Sequence, residues 1–211
     1  MNILLFALLM LRPAPSDAVG IVASAVERSR AQDSTEAADI FLIPFRREID
    51  SVSRIYHLPS ALVAAFVQEE SEFEPFAIRT EPSYLRKKKV IAAARLWCRR
   101  HRGLPSAQTE LVLRASSLGL MQPMGELARE QGFDAAYLSE LLAPNNSLGE
   151  GAKYLAKLLK RYPHDTLSAI SAYNQGTPRR RGRTFENARY VYRVAVAWRA
   201  YEKIFQQKKI H

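Results

Sequence analysis

The stretch Ala61-Leu-Val-Ala-Ala-Phe-Val-Gln-Glu-Glu-Ser-Glu-Phe-Glu-Pro-Phe-Ala77 decides the fold. Pro59 and Ser60 precede it and make a good helix start, since proline suits a first turn and serine often caps one. At about 100° per residue, Leu62, Val63, Phe66 and Phe73 share one arc of the wheel. Glu70 projects inside that arc, between Val63 and Phe66, and Glu69 falls to its side. Pro75 is expected to stop the helix, which puts Glu70 in or near the last turn. Apolar surroundings and the negative end of the helix dipole both raise a carboxyl pKa there. A glutamic acid kept protonated near neutral pH is what a general acid for glycosidic cleavage requires. A solvated acidic helix end would present the same residues.

Working outward, the chain has 211 residues, which suits one domain with a leader or appendage. Apolar residues make up 47% and charged residues 25%, enough for a substantial core. Thirty-one basic residues against 21 acidic ones give a net charge of +10, which favours anionic partners such as nucleic acid, a membrane surface or an anionic wall. No nucleic-acid recognition motif accompanies the charge, so nucleic acid is not expected as a partner. The single cysteine, Cys98, excludes an intramolecular disulfide, and four scattered histidines lack metal-ligand spacing. No metal or other cofactor is expected. Residues 1–11 are apolar except for Asn2, and Pro13-Ala-Pro-Ser-Asp-Ala18 follows. The run is too short to span a bilayer and reads as a secretory leader, 1–18, cleaved after Ala18 or Ala25, with a buried N-terminal helix as the alternative.

Helical periodicity dominates the rest. After a linker or N-terminal helix at 19–40, a domain at 41–205 and a short tail at 206–211 are expected. Residues 44–56 carry Ile49, Val52 and Ile55 at three-residue spacing and are expected to pack on the Glu70 helix. Further helices are expected at 86–100, 106–114, 125–131 (closed by Gly132), 134–142 (capped by Asp134, ended by Pro144), 147–161, 165–174 (capped by Asp165, closed by Gly176) and 185–205. No stretch alternates with period two, so the fold class is all-α. Gly119-Leu-Met-Gln122 lies in a tight turn before Pro123. There glycine allows close approach to a ligand and Gln122 can bond a sugar amide; a capping turn with Met121 in the core is the alternative. Tyr173 and Asn174 end a helix, either as a sugar-stacking or carboxyl-orienting pair or as a core tyrosine with an asparagine cap. Tyr190 reads as a helix-core residue and Glu186 as a favourable acid at the start of the last helix.

Four of these stretches occur together. Glu70-Ser71-x-Phe73-x-Pro75-x-Ala77, Gly119-Leu-Met-Gln122, Ala172-Tyr-Asn-Gln-Gly176 and Glu186-Asn-Ala-Arg-Tyr190-Val191 resemble, in order, the motifs of the soluble lytic transglycosylases, relatives of goose-type lysozymes. The resemblance implies a lysozyme-like helical domain, in some members with a small β-hairpin near the cleft. It also implies Glu70 as the catalytic residue and Ser71, Met121, Gln122, Tyr173, Asn174 and Tyr190 as substrate-binding residues. In that family one Glu acts first as acid on the glycosidic oxygen and then as base on the C6 hydroxyl of muramic acid. The product is a 1,6-anhydro sugar of peptidoglycan, and such an enzyme works in the periplasm or outside the cell.

The chain departs from the pattern between the first two motifs. The short segment usual there is replaced by residues 79–114, resembling a sub-group with added helices. Ten basic residues against Glu81 and Glu110 give this insert +8. Val90, Ile91, Ala94, Leu96 and Trp97 are expected to dock it, and Lys87, Lys88, Arg95, Arg99 and Arg102 to point outward toward anionic wall polymer. The basic run Arg179-Arg-Arg-Gly-Arg183 is expected to flank the cleft. No Asp lies between the two motifs, which suits a single catalytic carboxyl. A hydrolytic muramidase using Glu81 or Glu69 as second group, and a weakly catalytic wall-binding module of a phage or secretion apparatus, are the competing readings.

Overall fold

The computed structural model describes residues 43–207. The expected leader at 1–18, the 19–40 segment and the last four residues of the chain lie outside the described residues. The helices are α1 (Arg46–Tyr56), α2 (Ser60–Ser71), α3 (Lys88–Arg100), α4 (Ala107–Arg114), α5 (Gly125–Glu130), α6 (Pro144–Arg161), α7 (Thr166–Gln175) and α8 (Ala188–Gln207). Two short antiparallel pairs join them: β1 (Ile78–Thr80) with β2 (Ser116–Leu118), and β3 (Arg180–Arg181) with β4 (Thr184–Phe185). The fold is all-α with one small hairpin, β3–β4, and one short strand pair, β1–β2, whose strands flank two helices.

The helix α2 is the axis of the domain. Every residue from Ala61 to Val67 is buried, so it is apolar all round rather than along one stripe. Ile49 and Val52 of α1, Leu148 and Leu155 of α6, Ile170 of α7 and Val191 and Val194 of α8 surround it. Phe66 is fully buried at the centre, where truncation to alanine typically costs ~3–5 kcal/mol. Pro75 does not end α2. The helix stops at Ser71 because Glu72 and Phe73 both turn left-handed, at φ 53° and 63°. Phe73 therefore leaves the wheel of α2 and packs edge-on against Tyr201 of α8.

Several boundaries differ from the expected ones for local reasons. Ile55 is 64% exposed, because three-residue spacing precesses by about 60° per step and Ser53 takes the inward position. Asp134 does not cap a helix; a 3₁₀ turn, Leu138–Leu142, starts after Tyr137. Pro144 opens α6 instead of ending its predecessor, since a first-turn proline sacrifices no helical hydrogen bond. Phe185 belongs to β4, and α8 begins three residues later and runs two residues past 205. Glu186 thus does not start a helix. Its N–H donates to Arg179 O at 3.0 Å, and its carboxylate lies 3.4 Å from Arg179 Nε, closing the β3–β4 hairpin. Ser106 and Asp165 cap α4 and α7, accepting from Thr109 N and Ser168 N.

The basic segment springs from the base formed by β1 and β2, with Thr80 opposite Ser116. Val90 and Ala94 are buried beneath α3, but Leu96 is 41% exposed and faces outward. Trp97 is fixed on both sides: its Nε1–H donates to Ala136 O at 3.3 Å, and the Arg129 guanidinium lies 3.5 Å over its ring. Arg114 is buried. It joins a buried quartet, donating from Nε to Glu110 at 2.9 Å and from Nη1 to Glu126 at 2.7 Å, while Arg129 Nε donates to Glu110 at 3.0 Å. Two carboxylates and two guanidiniums cancel, so no charge is buried unpaired. The quartet ties α4 to α5 and makes the insert a rigid part of the domain.

Candidate active site

The end of α2 forms the floor of a cleft of about 570 Å³. Its rim comes from β1 (Arg79), the start of the insert (Glu81, Tyr84, Lys87, Lys89), the β2–α5 turn (Gln122, Met124), the end of α7 (Tyr173, Asn174) and Arg179. Glu70 lies in this cleft, partly exposed, in the last turn of α2. Its Oε1 accepts a 2.5 Å hydrogen bond from the Tyr190 hydroxyl, which α8 brings from 120 residues away. Burial pushes the Glu70 carboxyl from 4.5 up to about 7, against the opposing pull of the Tyr190 hydrogen bond and the nearby Arg79. Tyr190 itself is buried, and its hydroxyl is held well above the ordinary range by burial and by the adjacent carboxyl, so it remains a donor.

Adjacent carboxyls are sorted by a single face of α8. Three residues beyond Tyr190, Arg193 binds Glu69 through Nε at 3.0 Å and through Nη2. Glu69 is therefore committed to an ion pair, while Glu70 is held by a neutral donor. Other cleft carboxylates are also committed: Glu81 to Arg79 at 3.3 Å, Glu130 to Lys89 at 2.7 Å, and Glu126 to Arg114 at 2.7 Å. Among the described cleft carboxylates, only Glu70 has no cation within ion-pair distance. With Tyr190 on Oε1, Oε2 is the oxygen left to carry and deliver a proton.

The other sequence-derived residues divide into those that reach the cleft and those that build it. Gln122 lines the cleft, with its Nε2 donating to Ala77 O at 2.9 Å and Gly119 O at 2.8 Å. Two carbonyl partners fix the amide orientation and leave Oε1 as the acceptor toward a ligand. Tyr173 also lines the cleft, but its hydroxyl donates to Met121 O at 2.8 Å rather than to Glu70. The carboxyl-orienting tyrosine is Tyr190, not Tyr173. Asn174 lies at the cleft edge and accepts at Oδ1 from Asn187 Nδ2 at 3.0 Å.

Met121 and Ser71 do not line the cleft. The Met121 side chain is fully buried and its role is to anchor Tyr173 through its carbonyl. Ser71 Oγ donates to Leu120 O at 2.8 Å, tying the end of α2 to the second motif. Gly119 takes φ 73° and approaches Ser147 and Leu141 O, where an added Cβ would lie 2.6 Å from the carbonyl oxygen. Its smallness serves packing against α6, not approach to a ligand.

Sequence reasoning missed three supports. Asn187 bonds both Ser171 and Asn174, stitching the third motif to the fourth. Arg79 stands near Glu70 on a strand of three residues, too short to show a period. Gly151 gives a Cβ position 2.4 Å from Met121 Cβ and 2.9 Å from the Tyr173 hydroxyl, so α6 can pass beside the site only without a side chain there. Its signal was a glycine inside a helix, normally costing about 1 kcal/mol relative to alanine. Gly149 carries the same signal and has open space around it.

The arrangement supplies one desolvated carboxylic acid, a tyrosine that fixes it, and neutral hydrogen-bonding groups from Gln122 and Asn174 in the same cleft. Residues 48–191, more than half of the chain, match the family model described as Transglycosylase SLT domain. No curated protein sequence matches the chain.

Proposed function

The chain belongs to the transglycosylase SLT domain family, whose activity is directed at peptidoglycan, and on that premise we propose that it cleaves the β-1,4 bond between N-acetylmuramic acid and N-acetylglucosamine with Glu70 alone as acid and base. The observation that carries this reading is that, among the described cleft carboxylates, Glu70 alone lacks a cation within ion-pair distance, and its pKa is pushed to about 7. In the first step Glu70 Oε2 gives its proton to the glycosidic oxygen as the bond to muramic C1 breaks. The acetamido oxygen of the same sugar attacks C1 and holds it as an oxazolinium. The carboxylate then takes the proton of the C6 hydroxyl, O6 bonds to C1, and the oxazolinium opens to the acetamide. No water is consumed, and Glu70 ends protonated for the next turnover.

Tyr190 keeps the carboxyl in one orientation through both steps, and Gln122 Oε1 and Asn174 are placed to meet sugar amides and hydroxyls. No described helix is long and apolar enough to cross a membrane. Peptidoglycan lies outside the cytoplasmic membrane, so we assign the chain to the periplasm or the exterior, with residues 1–18 as the export leader. Two measurements test the reading. Glu70→Gln removes the proton and should lower wall cleavage by ~10²–10⁴-fold with the fold intact, whereas Glu69→Gln should lose far less. Products should end in 1,6-anhydromuramic acid, one water lighter than hydrolysed ends. Ordinary reducing ends as the main product would mean that Glu81 activates water beside Arg79.

A further inference from the structure

The insert carries a row of cations that the fold does not use. Arg86, Lys88, Arg95, Arg99, Arg100 and Arg102 are exposed, and none has an ion-pair or hydrogen-bond partner among the described residues. Lys88, Arg95 and Arg99 recur at steps of seven and four, so they share one side of α3, and Arg102 continues beyond its end. Tyr84 and Lys87 just before α3, and Lys89 and Val90 at its start, line the cleft, and no later residue of α3 does, so Lys88 stands between two cleft residues. The helix therefore leads away from the cleft for its 13 residues, on the order of 20 Å at about 1.5 Å per residue.

Folding does not account for this charge. Lys87, Lys88 and Lys89 crowd the positive end of the α3 dipole, and its first turn has no acid to offset them. Six like charges on one small, rigid element repel each other in the empty protein. Of these three lysines, Lys87, over the Tyr84 ring at 3.2 Å, and Lys89, on Glu130, are locally engaged. Because the insert is pinned by Trp97 and the buried quartet, the row keeps a fixed direction relative to Glu70.

We propose that this row is a track for the carboxylate-bearing peptide stems of the strand whose glycan occupies the cleft. Continuity decides among anionic partners: what lies along a track that begins at the cleft rim is chain attached to what the cleft holds. The inference rests on the reading of the cleft as a glycan site. The test uses full-length protein with Lys88, Arg95, Arg99 and Arg102 changed together to Gln, which leaves every cleft residue in place, and a second variant with the same four changed to Glu. Each is made in the Glu70→Gln background for sedimentation with purified wall, and in the parent background for turnover. Two walls are compared, one bearing its stems with free carboxylates and one whose stem carboxylates are capped as amides with carbodiimide and ammonia, which keeps the cross-links and the sedimentable wall.

Binding to stem-bearing wall at low salt should fall about ten- to a hundredfold, more for Glu than for Gln, and the parent should lose the same advantage as salt is added. Binding to the amide-capped wall should be equal for parent and variants. In turnover, the loss should appear in KM on wall with free stem carboxylates and be absent on the amide-capped wall. Equal binding of parent and variants to stem-bearing wall overturns the proposal. So does an equal loss on both walls, which would assign the row to another anionic polymer. If the parent cleaves neither wall, the glycan-cleaving function fails, while the binding comparison still decides the track.

Discussion

Glu70→Gln should stabilise the protein, and by an amount that depends on pH. A carboxyl whose pKa is raised on folding from 4.5 to about 7 binds its proton more tightly in the native state than in the unfolded chain. Below pH 4.5 both states are protonated and the group contributes nothing. As pH rises from 4.5 toward 7, the unfolded chain releases the proton first, and the native state is progressively destabilised. Above about 7 both are ionised and the penalty is constant. At roughly 1.36 kcal/mol per pKa unit, the full penalty is on the order of 3 kcal/mol. Glutamine is nearly isosteric, can accept the Tyr190 hydrogen bond at Oε1, and never ionises, so it removes the penalty. For a domain of this size each kcal/mol moves the melting temperature by about 2–4 °C, giving a rise on the order of 6–12 °C. Calorimetry of wild type and variant at pH 4 and pH 8 is the assay. The two should melt together at pH 4 and the variant should melt higher at pH 8. A difference that is equal at the two pH values, or a variant less stable at pH 8, would refute desolvation of Glu70 and with it the account of its acidity.

Three further outcomes follow from the same geometry. Because the acid form of Glu70 is required, kcat/KM on soluble glycan should fall about tenfold per pH unit above about 7. Tyr190→Phe removes the hydrogen bond that favours the anion, so the alkaline limb should move to higher pH while kcat drops; a drop without a shifted limb would show that Tyr190 acts only in packing. Gly151→Ala places a methyl 2.4 Å from Met121 Cβ and should cost ~1–3 kcal/mol in thermal or chaotrope unfolding, lowering activity by displacing Tyr173, whereas Gly149→Ala, with open space around it, should raise stability by about 1 kcal/mol and leave activity unchanged.

Local patterns made much of the helical layout legible. Ser106 and Asp165 were readable as helix starts, and Gly132 and Gly176 as helix ends, because a cap or a left-handed turn is decided within a few residues. Glu70 was readable as the end of an apolar helix, and the four motifs identified the family. The same locality explains the errors around Pro75, Pro144 and Phe185, where a breaker or an apolar residue fits two neighbouring assignments and packing chooses one. The β1–β2 pair was invisible, since three-residue strands show no period and their partners lie on opposite sides of the insert.

The sequence by itself determined where the helices run and which residue types could do acid chemistry. Only the tertiary structure decided which carboxyl does it. Glu69 and Glu70 are neighbours with the same side chain, and what separates them is that α8, more than 100 residues later, brings an arginine to one and a tyrosine to the other. In the same way Glu110 and Arg114 stand one turn apart on α4, and it is Glu126 and Arg129 of α5 that close over them. The physical reason is one of range. Helices and caps are held by hydrogen bonds to near neighbours, which a sequence displays directly. Desolvation and charge pairing depend on what the rest of the chain brings alongside, and that is set only when the core of α2 has closed.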